Sequence, residues 1–284
     1  MSKTGLVLEG GGMRGAYTAG VLSWLIDQGI EMDYGVGISA GAMNLCSYAM
    51  KNKQYLYDVS VTYMPDKRNV GVNPLLREHH YVGYDFMFDH LLKNAVQYQL
   101  EPLRQGAMEI EIGVFNLNAS RVEWLKKEDL DDDLRLLKAA CTLPVAGAPV
   151  AYRDGLYMDG GVTTMVPIQR SLAHGCDRHL VIVTKDESYV RKPSSGMLLK
   201  TCRLLYHNDA LIEALKVRSD VYYQEMAQVE QLQQQGKALL IRPSRNLGVK
   251  RFSGDAKALK QLFELGIEDC ENRRDQLLSF LAHR

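Results

Sequence analysis

Apolar positions fall into short runs and spaced faces that alternate along the chain. Leu6-Val7-Leu8 is too short for a helix and reads as a buried strand. From Ala16 to Gln28, Val21, Leu22, Leu25 and Ile26 share one face, as in an amphipathic helix, and Gly29 is a natural stop. Tyr34 to Ile38 predicts a second strand and Ala40 to about Met50 a second helix. Glu109 to Phe115 alternates, with Ile110, Ile112 and Val114 apolar, which predicts a half-buried strand. Arg121 to Leu125 is expected to pair with it across "NLNAS". Asp133 to Cys141 reads as helix, and Gly155 to Met158 approaches a turn at "DGG". "HLVIVT", His179 to Thr184, reads as a fully buried strand. Met197 to about Gln235 predicts one long amphipathic helical region, "ALLIRPS" a late strand, and Asp255 to Leu281 a helical tail.

Residues 51–105 carry a weaker pattern. "MPDKRNVGVNP" is loop-like, and the aromatic-rich stretch that follows looks helical after Tyr84. "KDESYVRKPSSG" reads as an exposed loop. Strands alternating with helices predict a parallel-rich sheet covered on both faces, an α/β fold.

Composition narrows the class. The 284 residues suffice for one large α/β domain or two small ones, with a sizeable core. Lys+Arg and Asp+Glu both total 34, so no global charge argues for nucleic acid or an anionic membrane. Five scattered cysteines without a CxxC read as reduced thiols in a cytoplasmic protein. The N-terminus does not read as a signal peptide, and no apolar run approaches the roughly 18 residues of a membrane span. Any membrane contact is expected to be peripheral. Oligomeric state is not encoded in any pattern here.

Two glycine-dense turns follow the first two strands. "GISAG", Gly37, Ile38, Ser39, Ala40 and Gly41, fits G-x-S-x-G between a strand and a helix. A nucleophilic serine on such a strained turn needs small neighbours, and the next helix presents amides and a positive dipole end to developing negative charge. Equally, Ser39 could serve as a simple N-cap. "GGGMRG", Gly10, Gly11, Gly12, Met13, Arg14 and Gly15, can be read in two ways. Its amides could converge as an oxyanion hole, or it could be a dinucleotide turn of the G-x-G-x-x-G type. The second needs an acid at the far end of the second strand. Asp33 precedes that strand and Ser39 ends it, which counts against a nucleotide. "YMDGG" supplies Asp159 with Gly160 and Gly161, a turn former or a base aimed at Ser39. None of the seven histidines stands in a recognisable catalytic turn, and no pair has metal-ligand spacing, so neither metal nor cofactor is expected. His79 to Phe88 could form a lipid-facing cap or pack in the core.

The ordered set "GGGMRG", "GISAG" and "DGG", with "AACTLPVAGAPV" leading into the aspartate and "VPI" after it, resembles the patatin-like phospholipases. The likeness covers Gly5 to about Thr184 well and the rest loosely. It implies a three-layer α/β/α sandwich with a mostly parallel central sheet, over 1–284 as a single domain. It implies Ser39 as nucleophile and Asp159 as sole base of a Ser–Asp dyad. The oxyanion hole would come from the Gly10–Gly15 loop, around Gly11, Gly12 and Met13. The implied activity is hydrolysis of lipid acyl esters. A lipid transacylase is the close alternative, and a nucleotide-binding enzyme the distant one.

Overall fold

The computed structural model describes residues 3–282. Its elements run β1 (Thr4–Leu8), α1 (Gly15–Asp27), β2 (Tyr34–Ile38), α2 (Ala40–Ala49), α3 (Lys53–Tyr57), α4 (Val72–Arg77), α5 (Glu101–Gln105), β3 (Glu109–Asn116) and β4 (Arg121–Lys126). Then follow α6 (Arg135–Cys141), β5 (Val150–Tyr152), β6 (Gly155–Asp159), α7 (Ile168–Ala173), β7 (Arg178–Ile182), α8 (Gly196–Tyr206), α9 (Asp209–Gln234), β8 (Ala238–Ile241), α10 (Ala256–Asn272) and α11 (Arg274–Ala282).

The eight strands form one sheet in the order β5-β6-β3-β2-β1-β7-β8, with β4 also on β3. The run β3-β2-β1-β7-β8 is parallel throughout. β4, β5 and β6 join antiparallel. Side chains on successive strand residues leave opposite faces of the sheet. Leu6 and Leu8 therefore join one core with Leu180, Ile182, Leu239 and Ile241, under α1, α2, α6 and α10. Val7 joins the other with Val181 and Leu240, under α7 and α9. A third cluster packs Phe115 and Val162 against α8 and the start of α9. The fold is the expected three-layer α/β/α sandwich.

Its central strands are buried on both faces, so they read as unbroken apolar runs. β3 is the exception: Ile110 to Asn116 are all buried although its sequence alternates and predicts a half-buried strand. The charge in that alternation, Glu111, is held inside by Tyr34 at 2.6 Å and by both guanidinium arms of Arg170 at 2.6 Å.

The C-terminal helices belong to the sandwich. α1 and α10 touch backbone to backbone: a Cβ on Gly20 would stand 1.9 Å from the Phe263 carbonyl oxygen, and one on Gly266 2.4 Å from that of Tyr17. The Tyr17 hydroxyl donates to Asp269 at 2.9 Å across this contact.

Four stretches differ from the sequence pattern. The helical region from Met197 breaks at His207, which is left-handed (φ 47°), and restarts at Asn208, whose side chain caps Leu211. The helical tail breaks at Arg273, between α10 and α11. "KDESYVRKPSSG" is a loop, but Lys185 and Arg191 in it are buried. Within 51–105, Asp58–Thr62 and Phe86–Val96 are helices of the wide π type. Among the described residues, no helix is long and apolar enough to cross a membrane.

Candidate active site

β1 and β2 are parallel neighbours in register Leu8 to Gly37, so both glycine-dense turns emerge at the same end of the sheet. Ser39 follows β2 with φ 55° and ψ −127° and is buried. Such a conformation costs a non-glycine residue on the order of 1–3 kcal/mol, so its surroundings must impose it. They do so through close packing. A Cβ on Gly37 would lie 2.7 Å from the Gly41 carbonyl oxygen, and one on Gly41 would lie 2.8 Å from the carbonyl oxygens of Leu8 and Glu9. The Ser39 carbonyl accepts from Ala42 and Met43, so the turn runs straight into α2.

Asp159 ends β6, which meets β2 head to head along β3: Gly113 pairs with Ile38, and the next residue, Val114, with Asp159. The carboxylate accepts from the Gly161 amide at 2.7 Å. A Cβ on Gly160 would stand 2.5 Å from the Gly113 carbonyl oxygen, and one on Gly161 2.9 Å from the Asp159 carboxylate. Both glycines of "DGG" are therefore required by close contacts. Burial pushes the Asp159 carboxyl above the usual carboxylate range, against the Gly161 amide, the Ser39 hydroxyl and the charges of Arg218 and Arg251. Asp159 is thus a buried carboxyl with the Ser39 hydroxyl as a hydrogen-bonding neighbour.

The first glycine loop lies against this pair. A Cβ on Gly10 would come within 3.0 Å of the Ser39 Cβ. Gly12 is left-handed (φ 58°), and the Met13 amide donates to the Arg251 carbonyl at 3.0 Å. The Arg14 amide donates to Gly11, and the Gly15 amide to the turn it caps. The amides of Gly10, Gly11 and Gly12 have no such acceptor among the described residues. Of the six loop amides, those of Gly10, Gly11 and Gly12 are thus the ones without a hydrogen-bond partner among the described residues, while that of Met13 is taken. The Arg14 side chain does not line the Ser39 crevice; it sits in a neighbouring cleft, 5.7 Å from the Tyr189 ring centre.

Glu9, next to the loop, has no counterpart in the motif reading. Its buried carboxylate accepts from the Thr184 amide at 2.7 Å, the Thr184 hydroxyl at 3.0 Å and the Lys185 ammonium. Burial raises the Glu9 carboxyl, but Lys185 and Thr184 outweigh it and hold it below its ordinary value. The network ties the end of β1 to the end of β7. An acid directly after an apolar strand and before a glycine run is the sequence signal that could have found it.

Two cavities meet at Ser39. One is apolar, with Met43, Val82, Tyr84, Phe88, Leu92 and Leu143 among its walls. The segment 79–88 thus contributes to the cavity wall. The other is a narrow polar crevice that holds Asp159 with Lys185, Arg191, Arg218 and Arg251. Gly12, Ser39, Leu143 and Arg251 line both.

Among the described residues, no histidine lines either cavity. His179 is fully buried against the Ser171 hydroxyl at 2.8 Å, and His174 stacks on Tyr34 and reaches Glu109 at 3.0 Å. His283 lies outside the described residues. The far end of β2 carries Ser39, and Asp33 before that strand accepts from the Thr4 amide at 3.3 Å.

A three-layer α/β/α sandwich with a strained serine elbow facing a buried aspartate defines a class of α/β proteins. The chain belongs to the patatin-like phospholipase family, whose model matches residues 6–171. A second model, for a domain of unknown function (DUF6363), matches residues 208–282. The uncharacterized protein YjjU of Escherichia coli (strain K12) is 25% identical over 191 residues, which cover 63% of this chain and 51% of that protein. The probable lipid hydrolase 463L of Invertebrate iridescent virus 6 is 23% identical over 184 residues, 60% of this chain and 63% of that protein. The chain spans between half and two thirds of the length of these relatives. VipD from Legionella pneumophila aligns with a TM-score of 0.47 at 12% identity, over 97% of this chain and 67% of that one.

Proposed function

We propose that the protein is a serine acyl hydrolase that cleaves lipid esters with a Ser39–Asp159 dyad. The observation that carries this is the strained Ser39 elbow, hydrogen-bonding neighbour to a buried Asp159 and flanked by acceptor-free glycine amides. Family membership supports it, as does the probable lipid hydrolase among the relatives.

The ester carbonyl sits at Ser39, with its acyl chain in the apolar cavity. Ser39 Oγ attacks the carbonyl carbon as its proton passes to Asp159. The tetrahedral oxyanion accepts from the amides of Gly10, Gly11 and Gly12, which are fixed in place before the reaction. Collapse breaks the ester C–O bond, and the alcohol leaves with the proton from Asp159. Water then attacks the acyl-serine, giving its proton to Asp159, and collapse breaks the acyl C–O bond, so the fatty acid leaves as Asp159 returns that proton to Ser39 Oγ. A carboxylate is a weak base in water, with a pKa near 4. Burial strengthens it here, in the direction the reaction needs.

The test is reaction with a fluorophosphonate followed by peptide mass mapping. The adduct is expected on Ser39 and on no other serine. Labelling that persists in Ser39→Ala overturns the assignment.

A further inference from the structure

Arg191, Arg218 and Arg251 come from a loop, a helix and a second loop, yet all three line the polar crevice beside Ser39. None has a carboxylate within ion-pair distance among the described residues, whereas most arginines elsewhere in the chain do not lack one. Arg191 is only 7% exposed. Its guanidinium lies 5.0 Å from the Tyr222 ring centre. Arg218 donates to the Gly161 carbonyl. Burial pulls the Arg218 guanidinium down to about 9, and the charges of Arg251 and Arg191 add to this. Three like charges converging in a half-buried space repel one another, and an anion among them removes that cost.

The nearby acids are already engaged. Glu9 is paired with Lys185. Glu225 accepts from the Met165 amide at 3.1 Å and the Val166 amide at 2.9 Å, and burial pushes it up to about 8. Asp159 faces Ser39. Among the described residues lining the crevice, no carboxylate other than Asp159 is left for a substrate ammonium. The rings that could hold one are taken, Tyr189 by Lys185 at 5.3 Å and Tyr222 by Lys185 and Arg191.

We propose that Arg191, Arg218 and Arg251 form an anion subsite that selects acyl esters bearing a phosphate without an attached ammonium group, such as acyl glycerol phosphates. The proposal rests on the hydrolase reading above. The two cavities share Ser39, so an ester carbonyl there sends its acyl chain to the apolar side and its alcohol part to the arginines. Guanidinium forks match phosphate oxygens in pairs, and such charge-assisted bonds are the strong ones. A choline or ethanolamine group would meet a wall of like charge.

The test compares kcat/KM for lysophosphatidate, monoacylglycerol and lysophosphatidylcholine of one chain length, presented as monomers. Lysophosphatidate is expected to exceed both others by about tenfold or more, the scale of one charged hydrogen bond. In Arg191→Gln, and separately in the more exposed Arg251→Gln, that ratio should fall by a similar factor, with circular dichroism to verify the fold. Calorimetry with glycerol 3-phosphate should give binding in the parent protein and a loss of heat in Arg191→Gln. Equal rates on all three esters, or a preference that survives both substitutions, overturns the proposal. So does inorganic phosphate that slows every ester alike while no phosphate ester is preferred. Failure of the hydrolase reading itself would look different, as no turnover even of a nitrophenyl butyrate ester.

Discussion

Ser39 and Asp159 are brought together by two consecutive residues of β3, since Gly113 pairs with Ile38 and Val114 with Asp159. β2 runs up one edge of β3 and β6 runs down to meet it. The residue just past one strand end therefore faces the last residue of the other. Two segments 120 positions apart, 159 minus 39, become neighbours through backbone pairing, before any side-chain contact is considered. The arrangement leads to four predictions.

Gly11 is fixed by Thr184. A Cβ there would lie 2.8 Å from the Thr184 hydroxyl oxygen and 2.9 Å from its methyl carbon. Gly11→Ala must therefore push the loop or Thr184 aside and displace amides needed for the oxyanion. Turnover of a nitrophenyl ester should fall by roughly 10²-fold, the scale of one lost donor. Adding Thr184→Ala relieves the crowding and should recover part of the loss. A Gly11→Ala protein with parental turnover would mean that the loop does not serve the oxyanion.

Glu9→Gln leaves Lys185 buried without its counter-charge. Breaking a buried pair on one side costs about 3–5 kcal/mol. Urea unfolding of Glu9→Gln should show a loss on that scale, and Glu9→Gln with Lys185→Met should be more stable than Glu9→Gln alone. A Glu9→Gln protein as stable as the parent would remove the network from the fold's support.

Arg218 acts on Asp159 by charge, lowering a carboxyl that burial raises. Removing that charge raises the carboxyl further, so less of it is ionised at a given pH. The acid limb of kcat/KM for a neutral ester should therefore move to higher pH in Arg218→Gln and return towards the parent in Arg218→Lys. An unmoved limb, or one shifted to lower pH, contradicts Asp159 as the titrating base.

The order of β1, α1, β2 and α2 was legible because apolar runs and helical faces are separated there by glycines that end each pattern. The sheet's central strands were legible as apolar runs. Within 51–105 the helix expected after Tyr84 was legible and is present at Phe86–Val96, but the rest was not, because the π-helical turn at Asp58–Thr62 departs from the 3.6-residue period that sequence reading relies on. The break at His207 was hidden because Leu204, Leu205 and Tyr206 continue the amphipathic pattern up to it. Ser39, Asp159 and the glycine loop were visible as motifs, since each needs several small residues in sequence. Arg191, Arg218 and Arg251 carry no local signature. An arginine in "YVRKP" or "VKRF" is by default a solvated charge, and only the tertiary fold turns these inward. Lys185 is invisible for the same reason, since it is explained by Glu9 beyond the end of the neighbouring strand.

The most direct test of the dyad is ester hydrolysis by Asp159→Asn beside single alanine variants of each of the seven histidines. Asparagine keeps the shape of Asp159 and removes the proton acceptor. A Ser39–Asp159 dyad predicts that Asp159→Asn loses several orders of magnitude in turnover while circular dichroism shows an intact fold, and that every folded histidine variant retains most of its activity. A folded histidine variant as inactive as Ser39→Ala, or an Asp159→Asn protein with parental activity, would contradict it.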